Sequence, residues 1–294
     1  MSYFLGIDLG GTNIKAVCVT EAGAIIDQAS RATEDNASGI FAQHVAALVE
    51  ELQRKHGEAA RIGLSAPGLA ARDGRSISFM PGRMQGLENL DWTDLLETKH
   101  SVLVLNDAHA ALLGEIWLGA GKGVRNAFLL TLGTGVGGAA FCDGRLLKGQ
   151  LGRAGHLGHI SLDIHGAKDI VNTPGSLEDA IGECTIKART SGAYASTREL
   201  VDAANRGDVR AKEIWLRSVH KLACAIASLI NVLDPEVVII GGGIAQAGAA
   251  LFEPLEAAVR KFEWQPAGHR VQPKRAAGGR LRTTLLTLGQ WKRC

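Results

Sequence analysis

Two stretches far apart in this chain have the same build, and that repetition constrains the fold more than any other feature. Phe4-Leu5-Gly6-Ile7-Asp8-Leu9-Gly10-Gly11 and Phe128-Leu129-Leu130-Thr131-Leu132-Gly133-Thr134-Gly135 are each an apolar strand running into a tight glycine turn. A second strand follows in both, closed by a further turn at Ala22-Gly23 and at Asp143-Gly144. Two such hairpins predict two lobes of related build with a cleft between them. At 294 residues the chain is long enough to give each lobe a core.

The rest of the chain alternates strand and helix periodicity, which is the α/β pattern. Strands are predicted at 3–8, 13–20, 24–29, 61–66, 102–105, 127–132, 136–142, 145–148 and 237–240. Helices are predicted near 38–56, after Asp107, and near 176–182, 197–204, 208–232 and 244–262. The expected division is an N-terminal lobe of residues 1–106 and a C-terminal lobe of residues 107–294.

Charge and cysteine usage remove several function classes. A net charge of +2 argues neither for nor against nucleic acid, and the basic residues near the end (Lys274, Arg275, Arg280, Arg282, Lys292, Arg293) read as a solvated tail. The five cysteines are scattered and never spaced as C-x-x-C, so neither a zinc knuckle nor a disulfide framework is expected. No segment offers the ~20 uninterrupted apolar residues of a membrane helix. No signal sequence precedes the first strand, so a soluble, cytoplasmic protein without membrane or nucleic-acid partners is expected.

The glycine turns carry the chemistry. Glycine lets backbone N–H groups approach a phosphate closely, so Gly10, Gly11 and Thr12, and Gly133, Thr134 and Gly135, are candidate phosphate contacts. Asp8 beside the first turn is useful only with a cation, for which Mg²⁺ held largely by water and nucleotide oxygens is the natural choice. Gly133-x-Gly135-x-x-Gly138 matches the dinucleotide fingerprint in form, but a strand follows it where that fingerprint must open a helix. No P-loop and no G-x-S-x-G elbow occur. Ile239-Ile240-Gly241-Gly242-Gly243 runs from a buried strand into a turn against which a ring or ribose can lie. The run Val102-Leu103-Val104-Leu105 stops at Asn106-Asp107 before an Ala/Leu helix. Asp107 is the candidate general base of phosphoryl transfer to an alcohol, with helix N-cap as its structural alternative.

Together these motifs resemble the ROK family of sugar kinases and sugar-responsive repressors, in the actin/hexokinase-like superfamily. Gly6 to Thr12 resembles its first phosphate motif, Ser65-Ala66-Pro67-Gly68 its sugar-side loop, and Leu105-Asn106-Asp107-Ala108 its catalytic segment. Leu132 to Gly138 resembles the second phosphate motif and Gly241 to Gly243 the adenosine motif. The resemblance implies a two-lobed, ribonuclease H-like ATPase fold and ATP-dependent phosphorylation of a hexose or related sugar. It also implies a homodimer and lobe closure that excludes water. Asp107 is then the base, and Ser65, Pro67, Gly68, Asn106, His156, His159 and Glu178 are the sugar-side candidates.

The departures from the family pattern bear on the sugar. His156 stands where a sugar-binding Glu is usual, and Asp169, Val171 and Ser176 stand at the three cysteine positions of the zinc motif. A structural zinc is therefore not expected, and no metal-ligating residue is assigned. Phe79 and Arg83 replace the usual Asn and Trp of a sugar-side loop, and Arg83 is expected to face water, with an anionic substituent as the alternative. The family's closing C-terminal helix is expected to be missing, since the chain ends soon after Leu288-Gly289-Gln290-Trp291. The alternative to an active kinase is a sugar- or nucleotide-binding protein with little catalysis. A repressor is not expected, because Asp8 leaves no room before it for a helix-turn-helix.

Overall fold

The computed structural model describes residues 2–35 and 39–277. Strand β1 (Phe4–Leu9) turns into β2 (Asn13–Val19), which pairs with β3 (Ile25–Ala32). Helix α1 (Ile40–His56) buries Phe41, Val45, Leu48, Val49 and Leu52, spaced to fall on one helical face, and returns the chain to β4 (Arg61–Ala66), parallel to β1. The short strands β5 (Leu69–Ala70) and β6 (Ile77–Phe79) form a separate ribbon, followed by α2 (Trp92–Leu95), a single turn capped by Asp91. β7 (Leu103–Asn106) then lies parallel to β4 and feeds α3 (Asp107–Leu118). The resulting sheet has the order β3-β2-β1-β4-β7.

The second half repeats this wiring. β8 (Ala127–Leu132), β9 (Val136–Cys142) and β10 (Arg145–Leu146) form the antiparallel part. Then come α4 (Leu177–Ile181), α5 (Ile186–Arg189), α6 (Thr197–Asn205) and α7 (Val209–Leu233). β11 (Val237–Gly241) pairs parallel with β8, α8 (Ala249–Phe262) follows, and β12 (Pro273–Arg275) pairs parallel with β11. The order β10-β9-β8-β11-β12 matches the first sheet strand for strand and direction for direction. The echo read in the sequence is thus a repeat of topology. Each sheet has its own core, one around Leu5, Ile7, Phe41, Leu48 and Trp92, the other around Phe128, Leu130, Trp215, Ile226 and Ile240. α7 is long and apolar enough to cross a membrane, but the residues that make it so, Val219, Leu222 and Ile226 among them, are buried in the second core.

The compact units do not divide at residue 106. One runs to Gly123 and takes back Lys148–Ala154 and Ala277; the other comprises Val124–Leu147 and Gly155–Ala276. α3 gathers the returning segments: His109 Nε2 donates to Ala154 O at 3.0 Å, and Glu115 Oε2 accepts from Ala277 N–H at 3.0 Å. The expected strand at 145–148 shortens to two residues. The expected helix at 244–262 is a 3₁₀ turn (Ile244–Ala247) and α8, separated by Gly248 at φ 58°. Residue 38, the basic positions Arg280, Arg282, Lys292 and Arg293, and the segment Leu288–Trp291 lie outside the described residues.

Candidate active site

In the first unit, parallel pairing brings three strand ends to one edge. Asp8 pairs with Ser65, and Ala66 with Asn106, so the glycine turn after β1, the loop after β4 and the start of α3 lie at the carboxyl ends of their strands. The turn is braced from within. Gly10 N–H donates to Asn13 O at 3.2 Å, and Thr33 Oγ1 donates to Gly10 O at 2.5 Å. Over Gly11 lies the guanidinium of Arg83, which a side chain at residue 11 would have to displace. Arg83 Nε also donates to Asp35 Oδ2 at 3.4 Å, so Arg83 is set against the phosphate turn as well as open to water.

Ser65 is fully buried, and its hydroxyl donates to Asp8 Oδ1 at 3.0 Å. It fixes the carboxylate of the first motif, a role its sugar-side placement in sequence did not reveal. Asn106, also buried, caps α3: its Oδ1 accepts from Ala108 N–H at 2.9 Å and His109 N–H at 3.4 Å. Its Nδ2 donates to Gly68 O at 2.9 Å, tying the loop after Pro67 to the end of β7. Gly68 has φ 96° and no room for a Cβ, which would meet Phe79 O at 2.6 Å.

Because Asn106 takes the cap, Asp107 occupies the first helical position, where its Oδ1 accepts from Ala108 N–H at 2.8 Å. Its side chain is open to solvent at the tip although protein crowds it on several sides. That crowding pushes its pKa up to about 6; the Asp8 charge adds to the rise, and the Ala108 and Asn106 bonds oppose it. Neighbouring His109 is buried, and desolvation lowers its pKa, which keeps it a neutral donor to Ala154 O.

In the second unit, the turn Gly133-Thr134-Gly135 and the turn Gly241-Gly242-Gly243 leave the same ends of β8 and β11, where Thr131 pairs with Gly241. Gly242, at φ 89°, lies directly on the backbone of Leu132. Glu178 on α4 is buried, and its Oε2 accepts from Val136 N–H at 2.9 Å beside Gly135. It braces the second phosphate turn. His156 precedes and His159 ends the 3₁₀ turn Leu157–His159, whose Gly158 packs on the Val136 backbone, so this segment rides on the strand leaving that turn.

His159 Nδ1 donates to Asp169 Oδ2 at 2.8 Å. Asp169 Oδ1 accepts from Val171 N–H at 3.0 Å and Thr173 N–H at 2.9 Å. Burial works against the Asp169 charge, but the His159 bond and these N–H groups outweigh it and hold the carboxyl below its usual range. Among the described residues no group of three or more His, Cys, Asp and Glu is placed to hold a metal.

The sequence model of the ROK family matches residues 4–282. A glucokinase of Thermotoga maritima is 35% identical over 271 residues, with 85% of each chain covered. An N-acetylmannosamine kinase of Yersinia pseudotuberculosis is 31% identical over 293 residues, 98% of each. The crystal structure of a ROK hexokinase from Thermus thermophilus matches with a TM-score of 0.86 at 30% identity, over 97% of this chain and 96% of that one. The paired sheets are those of the actin-like ATPase fold, and the chain belongs to the ROK family, among its sugar kinases.

Proposed function

We propose that the chain transfers a phosphoryl group from ATP to a hydroxyl of a hexose or related sugar, with Asp107 as general base. The observation that carries this reading is the Asp107 carboxyl, freed of capping by Asn106 and presented at the strand edge that also bears the Asp8 turn. A base whose pKa is pushed up to about 6 is ionised at neutral pH yet basic enough to take a proton as the alcohol attacks. In this reading the turns Gly10–Thr12 and Gly133–Gly135 hold phosphates and Gly241–Gly243 hold adenosine. Asp8 stands beside the phosphates, fixed by Ser65.

The residues fit Mg²⁺. The charge on Asp8 helps raise the pKa of Asp107, so a hard cation beside Asp8 relieves a repulsion between carboxylates. Bound with the nucleotide, it neutralises charge on the transferred phosphate.

Two relatives over most of this chain's length are named for glucose and for N-acetylmannosamine, which supports an acceptor of that class. Within that class His156 is the discriminating side chain, since a neutral imidazole donates one hydrogen bond and accepts one where a carboxylate only accepts. Pro67 and Gly68 shape the sugar side, while Asn106, His159 and Glu178 hold neighbouring segments in place. A homodimer working in a reducing cytoplasm completes the proposal; the scattered cysteines suit that compartment.

The test is sugar-dependent ADP release with Mg-ATP across glucose, mannose, allose, fructose and the N-acetylhexosamines. Turnover with one of them, lost in Asp107→Asn while ATP binding remains, is the expected result. Retained turnover in that variant removes Asp107 from its role. Silence across the panel from a folded, ATP-binding protein defeats the hexose assignment.

A further inference from the structure

The second phosphate turn is held from behind, and the hold traces back to Arg189. Gly133 O accepts from Glu183 N–H at 2.9 Å, Thr134 O from Cys184 N–H at 2.8 Å, and Gly135 O from Gly133 N–H at 2.9 Å. All three carbonyls of the turn are thus satisfied inside the protein. A carbonyl oxygen facing a phosphate repels it, whereas outward N–H groups attract it. The shape of this turn therefore depends on Glu183 and Cys184 offering their N–H groups at the right place.

Those two residues begin directly after Gly182, at the end of α4, and Arg189 grips that corner. Its Nη2 donates to Gly182 O at 2.9 Å and Ile181 O at 3.2 Å. Its Nε donates to Thr185 Oγ1 at 3.1 Å, and its Nη1 to Ser218 Oγ on α7 at 2.8 Å. No carboxylate forms an ion pair with it among the described residues, and burial acts against its charge. The nearby Glu183 charge supports the half-buried cation, and the planar guanidinium alone reaches two carbonyls and two hydroxyls at once. The other end of α4 reaches the same turn through Glu178 and Val136 N–H. Both ends of this short helix are therefore tied to the turn, and Arg189 anchors one of them to α7.

We propose that Arg189 is a positioning residue for nucleotide binding, presetting the Gly133–Gly135 turn with its carbonyls turned inward so that the phosphates of ATP meet donors only. This rests on the ATP-dependent reading above. Nothing in the sequence pattern marks this arginine; only the bonds of its fork do.

The test compares wild type with Arg189→Met, measuring KM for ATP and for the accepted sugar, and binding of ATP, ADP and AMP. Removing charged hydrogen bonds of this kind is expected to raise KM for ATP about tenfold and to weaken ADP binding similarly. AMP affinity and the KM for sugar should stay within about twofold, a split that general loosening of the fold does not produce. Equal losses for ATP, AMP and sugar, or an unchanged KM for ATP, overturn the proposal. If Arg189→Met does not fold, Ser218→Ala removes one partner of the fork. A rise of about twofold or more in KM for ATP alone supports the role, and no rise overturns it. A wild-type chain that binds no ATP defeats instead the reading on which the proposal rests.

Discussion

Asn106 and Asp107 divide two tasks that one aspartate would have to combine. The asparagine satisfies the orphan N–H groups of α3, and the aspartate is left with its carboxyl open. Two consequences of the raised pKa are measurable. In its proposed role as base, Asp107 must be ionised, so kcat/KM should rise with pH through about 6 and then level off. For stability the sign is opposite. The folded state keeps this proton to higher pH than the unfolded chain, so its contribution falls as pH rises from the ordinary value of 3.8 to about 6. Asp107→Asn should therefore raise Tm relative to wild type more at pH 8 than at pH 4, while lowering turnover by ~10²–10⁴-fold. Asp169 behaves inversely: its depressed pKa gives stability that is lost only as pH falls through the folded value. Asp169→Asn should lower stability by about 1–3 kcal/mol, because three donors converge on this side chain. EDTA should leave the wild-type melting curve unchanged, since His159 and Asp169 hold the loop through hydrogen bonds.

At the scale of elements, α8 shows how a local defect is absorbed. Pro254 inside it has no N–H, which frees the carbonyl of Ala250, and Trp215 Nε1 on α7 donates to that oxygen at 2.8 Å. Trp215→Phe should cost about 1 kcal/mol by leaving this half-buried carbonyl without its donor, read as a lower midpoint of denaturation. Gly242→Ala should be worse, since a Cβ there would sit 2.7 Å from the Leu132 backbone at a φ of 89°. Its effect should reach the adjacent phosphate turn as a higher KM for ATP. Strands and long helices were legible in the sequence because their apolar periods are strong: β4, β8 and β9 fall on the expected residues. The ribbon of β5 and β6, the break at Gly248 and the short edge strand β12 were not: the strands are only two or three residues long, and the break is a single positive-φ glycine within a helical apolar pattern. The same holds within the site. Glycine turns and Asp107 could be read as local patterns, but the engagement of Ser65 by Asp8, Glu178 by Val136 and Arg189 by Gly182 is tertiary.

For the whole molecule, the repeated hairpin was visible in the chain, whereas the unit boundary was not. It was hidden by α3, whose His109 and Glu115 hold segments from much later in the sequence. If the chain binds nucleotide as proposed, binding to the folded state should stabilise it by mass action, by about 2.7 kcal/mol at a hundredfold excess over Kd. Mg-ATP should accordingly raise Tm in wild type and in Asp107→Asn, and raise it less in Gly242→Ala. The identical wiring of the two sheets has a further consequence. Between the third and fourth strands the first unit places α1 alone, whereas the second places α4 to α7 and the segment bearing His156, His159, Asp169 and Glu178. That interval carries two duties at once: it bears His156, and it also supplies Glu178, Glu183, Cys184 and Arg189, which hold the Gly133–Gly135 turn in place. A change of sugar preference made within it must therefore spare those four residues, or it will disturb the glycine turn as well.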